Sequence, residues 1–250
     1  MKKALFILWI FVLLSGCDSD KAPDCFRKAG QPITKTFELP PFDDIMTYSN
    51  VQLFITDGPE QKVQVETGKN LLKDIEISVK DKQLKIKNHN QCHLVRGYKK
   101  TKVYVTSPNI KTIKNGSQFA IKSTNTLRYD QLFLISENYQ DDGDYHTDGD
   151  FKLSVDCEKL RILNNNISNY YLKGSVQQLD IGIYSGDARV EAADLVAQNI
   201  TLYHRGTQDV ILNPQQSIKG KILSTGNLIL VNHPPVVEVE RFYTGKLIYR

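Results

Sequence analysis

The chain has 250 residues, 40% of them hydrophobic and 24% charged, and its 32 Lys+Arg against 28 Asp+Glu give a formal charge of +4. Loss of Lys2 and Lys3 with the leader described below takes that charge from +4 to +2. So balanced a chain carries no electrostatic footprint for nucleic acid, whose recognition needs clustered basic residues. The one local run, Arg96-Gly97-Tyr98-Lys99-Lys100-Thr101-Lys102, has the composition of a solvated turn.

Met1-Lys2-Lys3, the apolar run Ala4 to Leu14 and the small residues before Cys17 have the layout of a secretory signal peptide. The run is too short to remain as a spanning helix, because a hydrocarbon core of ~30 Å needs about 20 apolar residues. Leu14-Ser15-Gly16-Cys17 resembles the bacterial lipobox, which implies lipidation of Cys17 and cleavage before it. Several acyl chains give stable anchoring where one gives only reversible binding. The expected organisation is therefore residues 1–16 as signal peptide, 17–24 as lipidated tether and 25–250 as the folded domain. An acidic start behind the lipidated cysteine, here Asp18, resembles sorting signals for the outer membrane surface and, in other settings, inner-membrane retention signals. The expected location is the cell envelope, with the outer membrane of a Gram-negative bacterium preferred and the membrane face left open.

Cys25, Cys92 and Cys157 then remain, enough for one internal disulfide in an oxidising compartment. Cys25 with Cys92 is the expected pair, since it would pin an irregular lead-in to a polar turn at a gain of ~4 kcal/mol in the chain-entropy model. Cys157, at the end of a strand-like run, is expected as a buried free thiol.

From Phe37 onward apolar and polar residues alternate, as in Val51, Leu53, Ile55 and in Val103, Val105, with turn pairs such as Asp57-Gly58 between the runs. That period predicts half-buried strands. The best helical candidate, Val190 to Gln198, is short and uncapped and is expected as a corner or a single turn. In the second half, Gly186, Gly206, Gly226 and Gly245 recur at intervals of 20, 20 and 19 residues, each followed four positions later by Val190, Val210, Leu230 or Tyr249. A repeat of this length, built from short strands and glycine turns, predicts stacked coils that bury their apolar sides on one another. The expected fold is all-β, a right-handed parallel β-helix (solenoid) of about seven rungs with a strand-rich N-terminal portion. At ~4.8 Å per rung the stack would span ~34 Å. Asn164-Asn165-Asn166 falls where a corner is expected, and its amides could stack between rungs. A β-sandwich is the rival, but it requires no apolar residue at a fixed offset from an equally spaced glycine.

The order Asp24-Cys25-Phe26, Leu39-Pro40-Pro41-Phe42, Val51-Gln52-Leu53-Phe54-Ile55, Gly68-Lys69-Asn70-Leu71-Leu72, Leu84-Lys85-Ile86 and Asn90-Gln91-Cys92 resembles the "putative auto-transporter adhesin, head GIN domain" family of bacterial lipoproteins. The resemblance spans about Asp24 to Arg250. It implies a β-helix with a signal peptide and no established catalytic residues, and it supports the Cys25–Cys92 pair. Relatives often have Gly-Ser-Gly corners where this chain has Asn115-Gly116-Ser117-Gln118 and Tyr184-Ser185-Gly186-Asp187, which leaves the corners' detail open.

No nucleophile elbow, phosphate loop or zinc-protease motif occurs, and no catalytic or metal-binding residue is assigned. Asp141, Asp142, Asp144, Asp148 and Asp150 form an acidic stretch in which a ligand or Ca²⁺ could be wrapped by oxygens, although an inert solvated loop has the same composition. His89, Cys92 and His93 are spaced closely enough for a metal, with the disulfide preferred. Tyr170-Tyr171, Tyr184, Tyr203 and Tyr243 either stack sugars on a solvent-facing side or cover rung corners, and the corners are preferred. The expected function is a non-enzymatic, adhesin-like binding protein for a glycan or a surface protein. A carbohydrate-active enzyme using residues 141–150 and a structural envelope component are the alternatives.

Overall fold

The computed structural model describes residues 27–90, 101–137 and 145–250. Among them the chain is all-β: seventeen strands make one continuous hydrogen-bonded sheet curled around a single apolar core, and the helical content is a 3-10 turn at Lys69–Asp74.

The strands fall into two ranks. The first runs through β5 (Ile75–Lys80), β6 (Gln83–Asn88), β2 (Asp44–Thr47), β8 (Thr112–Asn115) and β10 (Gln131–Ser136). It continues through the second halves of β11 (Phe151–Asn164), β12 (Tyr170–Ile183), β13 (Val190–His204) and β14 (Val210–Ile222) and ends at β16 (Val236–Arg241). The second rank runs through β1 (Pro32–Phe37), β4 (Lys62–Gly68), β7 (Thr101–Ser107), β3 (Val51–Asp57) and β9 (Ile121–Leu127). The first halves of β11 to β14 follow, then β15 (Leu228–Leu230) and β17 (Leu247–Tyr249).

From β11 onward each coil lies parallel on the one before. Phe151, Tyr170, Val190, Val210, Leu228 and Leu247 are register partners in succession, each 18 to 20 residues after the last. Period-two alternation sends the partners Leu160, Leu179, Ile200 and Ile218 into the core. Each such side chain contributes about 1.5–3 kcal/mol by leaving water. The recurring glycines mark close approach of neighbouring coils. A Cβ on Gly226 would stand 2.2 Å from the Gln208 carbonyl oxygen, and Gly186 in addition has φ +90°.

Three features depart from the sequence expectation. Val190 to Gln198 is strand, because packing on β12 and β14 overrides the helix preference of its alanines. The coils are not stacked in chain order: β2 and β3 lie between the β6–β7 layer and the β8–β9 layer, pairing with β8 at Asp44↔Thr112 and with β7 at Val51↔Thr101. The outermost layers at that end are antiparallel, β5 on β6 and β1 on β4 on β7.

The corners are polar inside. Thr47 Oγ1 donates to Asn115 Oδ1 (3.0 Å), Ser136 and Ser168 share a 2.6 Å bond, and the Tyr170 hydroxyl donates to Asn164 Oδ1 (3.2 Å) while its ring stacks on Phe151 at 4.9 Å. The Asn164-Asn165-Asn166 amides bond within their own corner. Rung-to-rung amide ladders occur elsewhere: Asp150 Oδ1 accepts from Asn169, whose Oδ1 accepts from Arg189 N–H, and Asp209, Asn227 and Lys246 repeat the arrangement. At the far end, Arg241 occupies the register position next to buried Ile222, and exposed Glu238 and Glu240 precede it on β16. Charges of this kind blunt a free sheet edge against pairing.

Candidate binding grooves

Among the recesses on the outer faces of the ranks are one on the second rank and one on the first. The larger, about 610 Å³, crosses β9, β11, β12 and β13; Lys122, Lys152, Lys173 and Tyr171 line it at one side and Glu191 and Asp194 on β13 at the other. Its concavity follows from two register shifts, between Lys152 and Ser154 on β11 and between Tyr171 and Gly174 on β12. Irregularities of this sort bend a strand and re-aim its side chains. Lys122 stands directly opposite Lys152, and Lys152 opposite Tyr171. The Lys152 ammonium lies 4.9 Å from the Tyr171 ring centroid and 3.8 Å from Asp150 Oδ2. Among the described residues Lys122 and Lys173 form no ion pair. Hydroxyls line the floor, where Thr126 and Ser154 share a 3.0 Å bond and Ser123 Oγ accepts from Ser154 N–H at 2.8 Å.

The second recess, about 430 Å³, lies on the first rank over β11 to β14, between Arg161, Leu163, Asp180, Tyr184, Tyr203 and Lys221. Tyr184 and Tyr203 pack ring to ring at 5.1 Å and 31°. Buried Gly182 lies beneath Tyr184, and a Cβ there would stand 2.7 Å from that ring. Burial opposes ionisation of Asp180, but hydrogen bonds from Gln178 and Lys159 outweigh it and hold the carboxyl below its usual 3.8. Arg161 lies over Phe133 and Lys221 over Phe242, and neither pairs with a carboxylate among the described residues.

The residues singled out from sequence fare differently. Cys17, Cys25, Cys92, His93, Asp141, Asp142 and Asp144 lie outside the described residues, so the lipidation site, the disulfide and most of the acidic stretch are placed nowhere in this structure. Asp148 is exposed, and Asp150 is committed to the Asn169 ladder and to Lys152. Among the described residues no three His, Cys, Asp or Glu side chains are grouped to hold a metal. His89 pairs with Glu76. Cys157 is a free, buried thiol, and burial pushes its pKa up to about 11. Of the tyrosines, Tyr170 is fully buried, whereas Tyr171, Tyr184 and Tyr243 are exposed. Sequence reasoning missed Lys122, Lys152 and Gly182. The only available signal was the outward phase of their strands, which the register shifts obscure.

The fold and these recesses define a class: an all-β scaffold, one curled sheet of largely parallel strands, that offers shallow outer grooves. Residues 41–234 match the family described as "Putative auto-transporter adhesin, head GIN domain", and the chain belongs to that family. No curated protein sequence matches the chain. Among solved structures, a putative adhesin from Bacteroides fragilis superposes with a TM-score of 0.76 at 20% identity, covering 88% of this chain and 97% of that one. A putative lipid binding protein from Parabacteroides distasonis gives 0.58 at 13% identity, covering 88% and 97%. A putative adhesin from Parabacteroides merdae gives 0.55 at 16%, covering 88% and 98%. At these identities the likeness is one of fold. No described helix is long and apolar enough to cross a membrane.

Proposed function

We propose that the protein is a non-enzymatic, lipid-anchored component of the bacterial cell envelope that binds an anionic surface ligand on the outer face of a right-handed parallel β-helix of about seven coils. The parallel register at 18 to 20 residues supports the helix, and crossovers between parallel strands are right-handed in nearly all folds. The family description and the neighbouring adhesins support a binding role in the envelope, and the Cys17 motif supports the anchor.

The observation that carries the reading is the Lys122–Lys152 juxtaposition in the larger recess. Like charges directly opposite on adjacent strands destabilise a sheet. Asp150 already lies 3.8 Å from the Lys152 ammonium, whereas Lys122 forms no ion pair among the described residues, so an anion held between the two ammonium groups relieves the repulsion that remains; local rules are characteristically broken at functional sites. Thr124, Thr126 and Ser154 supply neutral hydrogen-bonding partners beside that anion.

The test uses the whole chain, extracted from membranes in detergent, with binding to isolated envelope polysaccharide and envelope protein measured at two salt concentrations. Binding by the parent should weaken with salt, and Lys122→Gln with Lys152→Gln should weaken it while leaving the fold as stable or more so. Parental binding by the double variant would remove the reading.

A further inference from the structure

Gly182 is the penultimate residue of β12, paired with Leu163 on one side and Tyr203 on the other, and it has no positive φ, so it costs the sheet stability without a left-handed turn to require it. Its lack of a Cβ matters at one place, beneath the ring of Tyr184. Tyr184 is 44% exposed, and it is held against Tyr203 rather than lying on the core. The chain thus gives up strand propensity to seat an exposed aromatic ring in a recess.

We propose that this recess is a subsite for an acidic saccharide, with a pyranose packed on the Tyr184–Tyr203 pair and carboxylate groups of neighbouring sugars met by Arg161 and Lys221. An aromatic ring offers a broad apolar face with a polar tip, which suits a sugar ring that has C–H groups on its faces and hydroxyls around its rim. Leu163 adds apolar wall, and Thr201 and the already ionised Asp180 offer hydrogen-bonding partners at the rim. Arg161 and Lys221 lie on β11 and β14, three coils apart, so roughly 14 Å of stack separates them with the tyrosines between. That span fits a short run of sugars better than a compact anion.

The surroundings argue against a protein partner. Lys159, Asp180, Thr201, Lys219 and Glu238 occupy the same outer face, and Lys159 pairs with Asp180 as Lys219 does with Glu238. The core of a protein interface is depleted of such charges.

This inference rests on the binding reading above but uses a different recess, so the two can fail separately. The probes are oligogalacturonate and its methyl ester, titrated against the whole chain in detergent, with inorganic polyphosphate as a soluble polyanion that is not a saccharide. Tyr184→Ala, Tyr203→Ala and Gly182→Ala should each weaken oligogalacturonate binding, by about tenfold or more for the tyrosines as central aromatic anchors. Tyr184→Phe should retain binding, which separates loss of the ring from loss of the fold. Arg161→Gln with Lys221→Gln should weaken binding of the acid and leave the ester unchanged. Parental affinity in the two tyrosine variants, no binding to either saccharide, or binding to polyphosphate alone overturns the subsite. In each of these cases loss of envelope binding on changing Lys122 and Lys152 would leave the binding reading standing.

Discussion

Tyr170→Phe isolates one buried hydroxyl at the start of β12. In the parent the Tyr170 side chain is fully buried, its ring lies flat on Phe151 at 4.9 Å, and its hydroxyl donates to Asn164 Oδ1 at 3.2 Å. Asn164 is itself fully buried, and its Nδ2 donates to the Asn166 carbonyl. Phenylalanine keeps the ring, so no cavity opens, and the loss is that of a buried acceptor left without its donor, about 1–3 kcal/mol. Tyr170→Ala would add a cavity and cost about 3–5 kcal/mol or more. Urea unfolding measures both: Tyr170→Phe should lower the midpoint with the slope unchanged, since the surface exposed on unfolding is the same. Equal stability of Tyr170→Phe and the parent would refute the argument, because it would mean that Asn164 loses nothing when the hydroxyl goes.

His204 is fully buried, and burial holds its imidazole below the ordinary 6.5, against the opposing effects of the Gln208 carbonyl and the Asp209 charge. The unfolded chain takes up a proton that the folded chain refuses, so stability should fall as pH drops below about 6.5, by at most about 1.4 kcal/mol per pH unit from this group. His204→Asn should flatten that slope in thermal melts between pH 6.5 and 5, and an unchanged slope would assign it to other groups. Gly186→Ala should destabilise by more than about 1 kcal/mol, since its φ is +90° and a Cβ would lie 2.2 Å from the Asn166 carbonyl oxygen. A denaturation midpoint equal to the parent's would count against the close-approach account of the glycine period.

The class of fold was legible because its cause is local. Alternation at Val51, Leu53 and Ile55 and the spacing of Gly186, Gly206 and Gly226 express the two constraints on a stacked coil, an apolar interior and a tight corner. The place of β2 and β3 between later layers was not legible, because a strand's own pattern says which face is buried and nothing about which neighbour covers its edges. Val190 to Gln198 misled for the opposite reason: Ala192, Ala193 and Ala197 favour helix locally, and only the pairing of β13 with coils on both sides makes it strand. The tyrosines could be named from the sequence, but their sorting into buried Tyr170 and exposed Tyr184 depends on corner geometry. The lysine pair depends on two register shifts, which leave no mark in composition.

The interleaving of β2 and β3 sets an order of events in folding. Asp44 finds its partner Thr112 sixty-eight residues later, with β6 closing over its other edge at Gln83. A chain emerging from its N-terminus cannot wind this end coil by coil; the first layers must wait, unpaired on one side, until β8 and β9 have arrived. The C-terminal coils are free of that delay, since each can pair with its predecessor as soon as it is made. Shortening from the C-terminus should therefore trim the molecule gradually, whereas shortening from the N-terminus should collapse its base in a single step.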